Sequence, residues 1–236
     1  QGRNVIGFID HKKTKTIVIG AHYDHLGWGE TGSLHTGEKA IHNGADDNAS
    51  GVAAILEIAQ RLKNKPMNHN ILFLAFSGEE MGLLGSNYFV DHPSFHSFDV
   101  DFMVNLDMVG RLNQEKKLAI NGVGSSPQFI PALNKQHTDF QFVFDSTGIG
   151  PSDHTSFYLD SIPAIHLFTG QHEDYHRPSD DVEKINFKGL EQICSLVEQL
   201  IIEMDQLNQI EFHKTKEPEQ KRYAFKVTLG IIPDYL

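Results

Sequence analysis

Between residues 20 and 51 the chain reads GAHYDHLGWGETGSLHTGEKAIHNGADDNASG, a stretch denser in imidazole and carboxylate groups than any other. His22 and Asp24 follow Thr16 to Ala21, a short β-branched run that is apolar on both faces, as a buried parallel strand is. Ligands of open α/β sheets bind at the carboxyl ends of the strands, so a His-x-Asp there is a candidate site. A spacing of two along extended chain sends both side chains the same way, so Asp24 can take a hydrogen bond from the second ring nitrogen of His22 or lie beside it. Asp46 and Asp47 enter the helical pattern of VAAILEIAQRLKN side by side. Two adjacent buried acids require cations. Glu79 and Glu80 follow the apolar run NILFLAF, Asp107 follows VDFMVNL, and His176 lies in the loop segment QHEDYHRPSDD. Imidazoles and carboxylates without a thiolate suit zinc, manganese or cobalt, and a pair of ions bridged by a carboxylate takes about five protein ligands. On residue types alone the choices between Asp46 and Asp47, and between Glu79 and Glu80, stay open.

The elements that must position these groups alternate. Strands are predicted at Asn4 to Ile9, Thr16 to Ala21, Asn70 to Phe76, Val100 to Leu106, Phe140 to Phe144 and Ala164 to Phe168. Helices are predicted over Ala49 to Asn64, along MGLLGSNYFVDH, over 126 to 138, over Ser152 to Leu159 and over Phe187 to Leu207. This order implies an α/β fold with a mixed, largely parallel central sheet flanked by helices on both faces. The 236 residues accommodate one such domain, taken as residues 1–208, followed by 209–236 as a linker and tail strand. A net charge of −11 argues against nucleic acid or an anionic membrane surface as partner. Cys194 is the one cysteine, which excludes an intrachain disulfide and a thiolate zinc site. No apolar run reaches membrane-spanning length.

Five blocks then carry a resemblance. His22-Tyr23-Asp24, Gly44-Ala45-Asp46-Asp47-Asn48-Ala49-Ser50-Gly51, Gly78-Glu79-Glu80-Met81-Gly82-Leu83-Leu84-Gly85-Ser86, Asn105-Leu106-Asp107-Met108 and Tyr175-His176 together resemble the M28 family of co-catalytic metallopeptidases, over about residues 16 to 207. The resemblance implies a zinc-exopeptidase-like fold, two divalent metal ions with zinc foremost, a peptide substrate and the removal of N-terminal residues. It implies Asp46 as the bridging carboxylate, with Glu80 and His176 completing one ion and His22 and Asp107 the other. Glu79 would be the general base, Asp24 the partner of His22, and Tyr175 a donor to the developing oxyanion. Asp47 would follow Asp46 across a strained peptide bond, cis in the family's pattern. Ser152-Asp153-His154 resembles a further family motif near the site mouth, against the plainer reading of a helix cap followed by a packed histidine.

The same scaffold also supports carboxypeptidases, one-zinc glutaminyl cyclases and non-catalytic binding domains. The full ligand set and the retained Glu79 weigh against the last two. His25, His42 and His69 are read as loop or surface histidines without a role. The ending VTLGIIPDYL resembles the opening strand of PDZ modules found after some bacterial members, which would make this a piece of an exported bacterial protein, periplasmic, cell-surface or extracellular.

Overall fold

The computed structural model describes residues 2–92, 98–136 and 138–216. The tail strand expected at 222 to 232, with its PDZ resemblance, lies outside them. Among the described residues the strands are β1 (Val5–Ile9), β2 (Lys15–His22), β3 (Asn70–Phe76), β4 (Asp99–Leu106), β5 (Lys117–Asn121), β6 (Gln141–Phe144) and β7 (Ala164–Phe168). The helices are α1 (Gly51–Leu62), α2 (Leu84–Asp91), α3 (Phe129–Asn134), α4 (His154–Leu159) and α5 (Phe187–Asp205). Strand β5 falls where the sequence reading had none, and α3 is shorter than the predicted 126 to 138.

The strands form one sheet in the order β1-β3-β2-β4-β7-β5-β6. Its centre, β3-β2-β4-β7, is parallel, while β1 runs antiparallel to β3 and β5 antiparallel to β7. The mixed, largely parallel α/β sheet expected from the sequence is therefore the one found. Alternation along β2 shows why its run is apolar throughout. Ile17, Ile19 and Ala21 enter a core shared with Ile55 and Ile58 of α1 and Ile193, Val197 and Leu200 of α5, while Val18 enters a second core with Leu72, Phe76, Met103 and Phe157 of α4. A strand covered by helices on both faces buries both sets of side chains, which is the origin of the unbroken hydrophobic runs.

Register fixes where the chemistry goes. His22 pairs with Phe76 across β2 and β3, and Gly20 with Asn105 across β2 and β4, so the three strands end at nearly one level. The residues that follow them, Asp24, Glu79, Glu80 and Asp107, therefore share one edge of the sheet. After α5 the chain stays on the domain for several residues. Ile210 is buried in the larger core, and the Thr215 amide donates to the Tyr158 hydroxyl at 2.8 Å. No helix among the described residues is long and apolar enough to cross a membrane.

Candidate metal centre

His22 is the last residue of β2 and 1% exposed. Its Nδ1 hydrogen points to the backbone carbonyl of Asp24, 3.1 Å away, which turns Nε2 toward Asp47 Oδ1 at 3.3 Å and Asp107 Oδ1 at 3.4 Å. The Asp24 carboxylate does not provide the close contact expected of it, its nearer oxygen lying 3.8 Å from Nδ1. It instead accepts the amides of Glu79 at 3.1 Å and Glu80 at 3.4 Å. Asp24 thus joins the end of β2 to the turn after β3, with its carbonyl serving His22.

The adjacent aspartates divide differently from the expectation. Asp46, expected to bridge, is turned away: Oδ1 accepts the Gly110 amide at 2.6 Å and the Ser50 hydroxyl at 3.0 Å, and Oδ2 faces His172 Nε2 at 3.1 Å. Those three partners saturate it, and burial raises its pKa. Asp47 occupies the central position. Its Oδ1 faces His22, and its Oδ2 lies 3.3 Å from His176 Nε2. The cis peptide bond is likewise one residue later than expected, between Asp47 and Asn48. Asn48 then donates to the Leu106 carbonyl at 2.9 Å and accepts from the Met108 amide at 3.2 Å, so its side chain braces both neighbours of Asp107.

Glu80 reaches His176 Nε2 with Oε2 at 3.1 Å, and its Oε1 accepts from His25 Nδ1 at 2.7 Å. His176 donates its Nδ1 hydrogen to the Gly32 carbonyl at 2.8 Å, which leaves Nε2 aimed inward. Asp107 is held from behind by the Ser152 hydroxyl at 2.6 Å, itself fixed by Asn105 at 2.7 Å. The Ser152-Asp153-His154 motif therefore touches the site through its serine. Asp153 makes no side-chain cap bond to α4, and the His154 ring stacks on His166 at 5.0 Å. Asp180 is a residue whose role the sequence did not show: its Oδ2 accepts the amides of Asp46 and Asp47 at 2.9 and 3.1 Å. His25 is a second, since it sits inside the cluster rather than on the surface.

Charge in this cluster is strongly perturbed. For Glu79, burial first and then the neighbouring charges of Asp107, Asp153 and Glu80 raise the carboxyl to about 9. Burial would also raise Glu80, but hydrogen bonds from His176 and His25 outweigh it and hold the group at about 2. Burial would lower His176, yet Asp47 and Glu80 carry it up to about 10. His22 behaves alike: burial lowers it, and Asp107 and Asp47 raise it well above its ordinary value. Tyr175 stacks on the His176 ring at 3.8 Å, and burial with the surrounding carboxylates raises its phenol, so the hydroxyl keeps its proton.

Donor atoms of His22, Glu79 and Asp107 lie within 4.8 Å of one another, as do those of His25, Asp47 and Glu80. Four imidazole–carboxylate separations, hydrogen-bonded in the ion-free protein, also have the length of an edge of an ion's coordination shell. Two nitrogen or oxygen ligands on a tetrahedral ion, each bound at about 2.0–2.1 Å, stand about 3.3 Å apart. His22–Asp47, His22–Asp107, His176–Asp47 and His176–Glu80 at 3.3, 3.4, 3.3 and 3.1 Å match such edges. The donor set fits two ions sharing Asp47. A cavity of about 360 Å³ is lined by Asp47, Glu79, Glu80, Asp107 and His176 together with Met108, Ile149, Phe168 and Tyr175.

The sequence profile of peptidase family M28 matches residues 4–201. The chain belongs to the M28 peptidase family. Among its relatives, Aminopeptidase YwaD of Bacillus subtilis is 31% identical over 217 residues, covering 85% of this chain and 44% of that protein. The crystal structure of BSAP, a zinc aminopeptidase from Bacillus subtilis, superposes with a TM-score of 0.69 at 29% identity, covering 88% of this chain and 50% of that one. A Bacteroides thetaiotaomicron glutaminyl cyclase bound to N-acetylhistamine superposes with a TM-score of 0.70 at 24% identity, a likeness of fold alone. This M28 chain spans about half the length of YwaD and of BSAP.

Proposed function

We propose that this chain carries a metal-dependent exopeptidase site that releases N-terminal residues from peptides, using two divalent ions, zinc foremost. The single observation that carries the reading is Asp47, with one carboxylate oxygen toward His22 and the other toward His176 at 3.3 Å each. Asp47, His22 and Asp107 would hold one ion, and Asp47, His176 and Glu80 the other. The ions would supply a bound water of lowered pKa and positive charge to offset the surrounding carboxylates.

Glu79 follows Asp24's grip on its amide and lines the cavity beside His22, its Oε2 3.9 Å from Nε2, without belonging to either set of 3.1–3.4 Å edges. Burial and the neighbouring carboxylates hold its proton in the ion-free protein, and bound cations would offset those charges and free the carboxylate to take a proton from the attacking water and return it to the leaving amine. The Tyr175 hydroxyl, kept protonated by its surroundings, would donate a hydrogen bond to the oxyanion of the tetrahedral intermediate. Ser152 keeps Asp107 oriented, and Asp24 anchors the backbone of the turn that carries the two glutamates. Support for an aminopeptidase over other exopeptidases comes from the relatives, YwaD and BSAP. Two complete ligand sets weigh against a one-zinc cyclase.

The test is turnover of aminoacyl 4-nitroanilides by the purified chain, with and without a chelator, alongside the N-acetylated substrates and Glu79→Gln. The expected result is two ions per chain, activity abolished by chelation and by N-acetylation, and Glu79→Gln slower by about two to four orders of magnitude with its metal retained. Full activity in Glu79→Gln, or turnover of the acetylated substrate at the same rate, would overturn the reading.

A further inference from the structure

We propose that His25 is a positioning residue: by donating its Nδ1 hydrogen to Glu80 Oε1 it reserves Oε2 for the ion shared with His176, without itself ligating that ion. The inference rests on the reading above that Glu80, His176 and Asp47 form one ligand set. Fourteen histidines are present, and nothing in the spacing of His25 marks it out. Its surroundings do. The side chain is 9% exposed, and its ring meets the His176 ring edge-on at 5.8 Å, so it touches two members of the set at once.

Two distances decide between donor and ligand. His25 Nδ1 stands 2.7 Å from Glu80 Oε1, a hydrogen-bond length well inside the edge of about 3.3 Å that two ligands of one ion require. It stands 3.9 Å from Asp47 Oδ2, outside that edge. A carboxylate with both oxygens free can chelate one ion with both or rotate between partners. With Oε1 engaged, Glu80 can offer a single oxygen in a fixed direction. The ring is seated by the backbone: Gly44 has φ +61°, and a Cβ there would come within 2.6 Å of the His25 ring. The glycine opening the segment that carries Asp47 thus provides the space in which His25 lies.

The experiment titrates zinc into metal-free wild type, His25→Ala and His25→Asn against a chromophoric chelator, with circular dichroism of the metal-free proteins as a check on folding. One zinc site is expected to bind as in wild type, and the other to weaken about 10–100-fold in His25→Ala. His25→Asn, whose amide can replace the lost N–H, should recover most of that loss. In a Glu80→Gln background His25→Ala should add no further weakening. Unchanged zinc affinity in His25→Ala, or additive losses with Glu80→Gln, overturns the proposal. Failure of both His25 variants to fill the second site at any zinc concentration makes His25 a ligand and also overturns it. Wild type taking up fewer than two ions instead overturns the reading of the site itself, and the role of His25 with it.

Discussion

Strands β3 and β4 carry a histidine-carboxylate cluster at each end, and the two clusters are built to opposite specifications. At the N-terminal edge His69 is closed on both sides, with Nδ1 2.8 Å from Asp205 and Nε2 3.0 Å from Asp101. Lys15 adds 2.6 Å to Asp101, and the amides of Asn68 and His69 donate to Asp205 at 2.9 Å. Every separation is a hydrogen-bond length, so the cluster has no room for an ion. At the C-terminal edge the separations of His22 and His176 from Asp47, Asp107 and Glu80 widen to 3.1–3.4 Å around a cavity, while His25 keeps a 2.7 Å contact to Glu80. Both ends combine imidazoles with carboxylates, and the N-terminal one adds the cation of Lys15. Spacing of a few tenths of an ångström, together with access to solvent, separates a structural ion network from a metal site.

The largest expected effect contrasts the two adjacent aspartates. Asp47→Asn should empty the site and lower kcat/KM on the order of ten-thousandfold, about 5.5 kcal/mol, because it removes charge from both ions at once. Asp46→Asn should keep both ions and most of the turnover. Metal analysis with steady-state kinetics reads both, and the reverse pattern would restore the bridging role to Asp46.

A smaller effect is expected at the opposite edge. His69→Ala leaves Asp205 without its imidazole while Lys15 still faces Asp101, so a loss of about 3 kcal/mol is expected in denaturant unfolding, at the low end for a broken buried pair. Zinc content and turnover of the folded fraction should not change. A variant that loses zinc would show that the two ends are coupled.

The smallest effect is its pH dependence. Burial lowers the pKa of His69, but Asp101 and Asp205 raise it above 6.5, so its stabilisation is full below that pH and fades as pH climbs through the folded value. Burial raises Asp101, but His69 and Lys15 bring it below 3.8, so its share is full above that pH and fades as pH falls through its folded value. The penalty of His69→Ala should be greatest between about pH 4 and 6.5 and shrink toward alkaline pH. A penalty that grows with pH would mean that His69 is neutral in the fold.

Legibility followed the physics of each element. Strands β2, β3, β4 and β7 announce themselves as apolar runs because helices cover both faces. Strand β5 does not, since KLAIN offers three apolar residues after a charged turn, and its antiparallel pairing with β7 is set by distant chain. Metal-competent residues at strand ends were readable as a group. Asp46 and Asp47 are not separable by type, and the family resemblance places the bridge and the cis bond one residue earlier than the structure does. A local signal existed: Ser50 stands four residues after Asp46, the spacing at which a hydroxyl reaches back in a helical turn, and it does so to both the carbonyl and Oδ1. His25 and Asp180 were hidden for another reason. Each acts on residues 55 and more than 130 positions away, a relation that no window of sequence contains.

Asp180 closes a mechanical loop. The segment bearing His176 and the turn bearing Asp47 are tied to each other by its carboxylate and by its carbonyl, which takes the Ala45 amide at 3.1 Å. Ions would therefore meet a finished receptor instead of gathering ligands from a slack chain. Little apolar surface would be covered at that moment, so uptake should proceed with a heat-capacity change near zero. Stripping and recharging the centre would then be cycles of a rigid vessel, with the folded chain as bystander rather than participant.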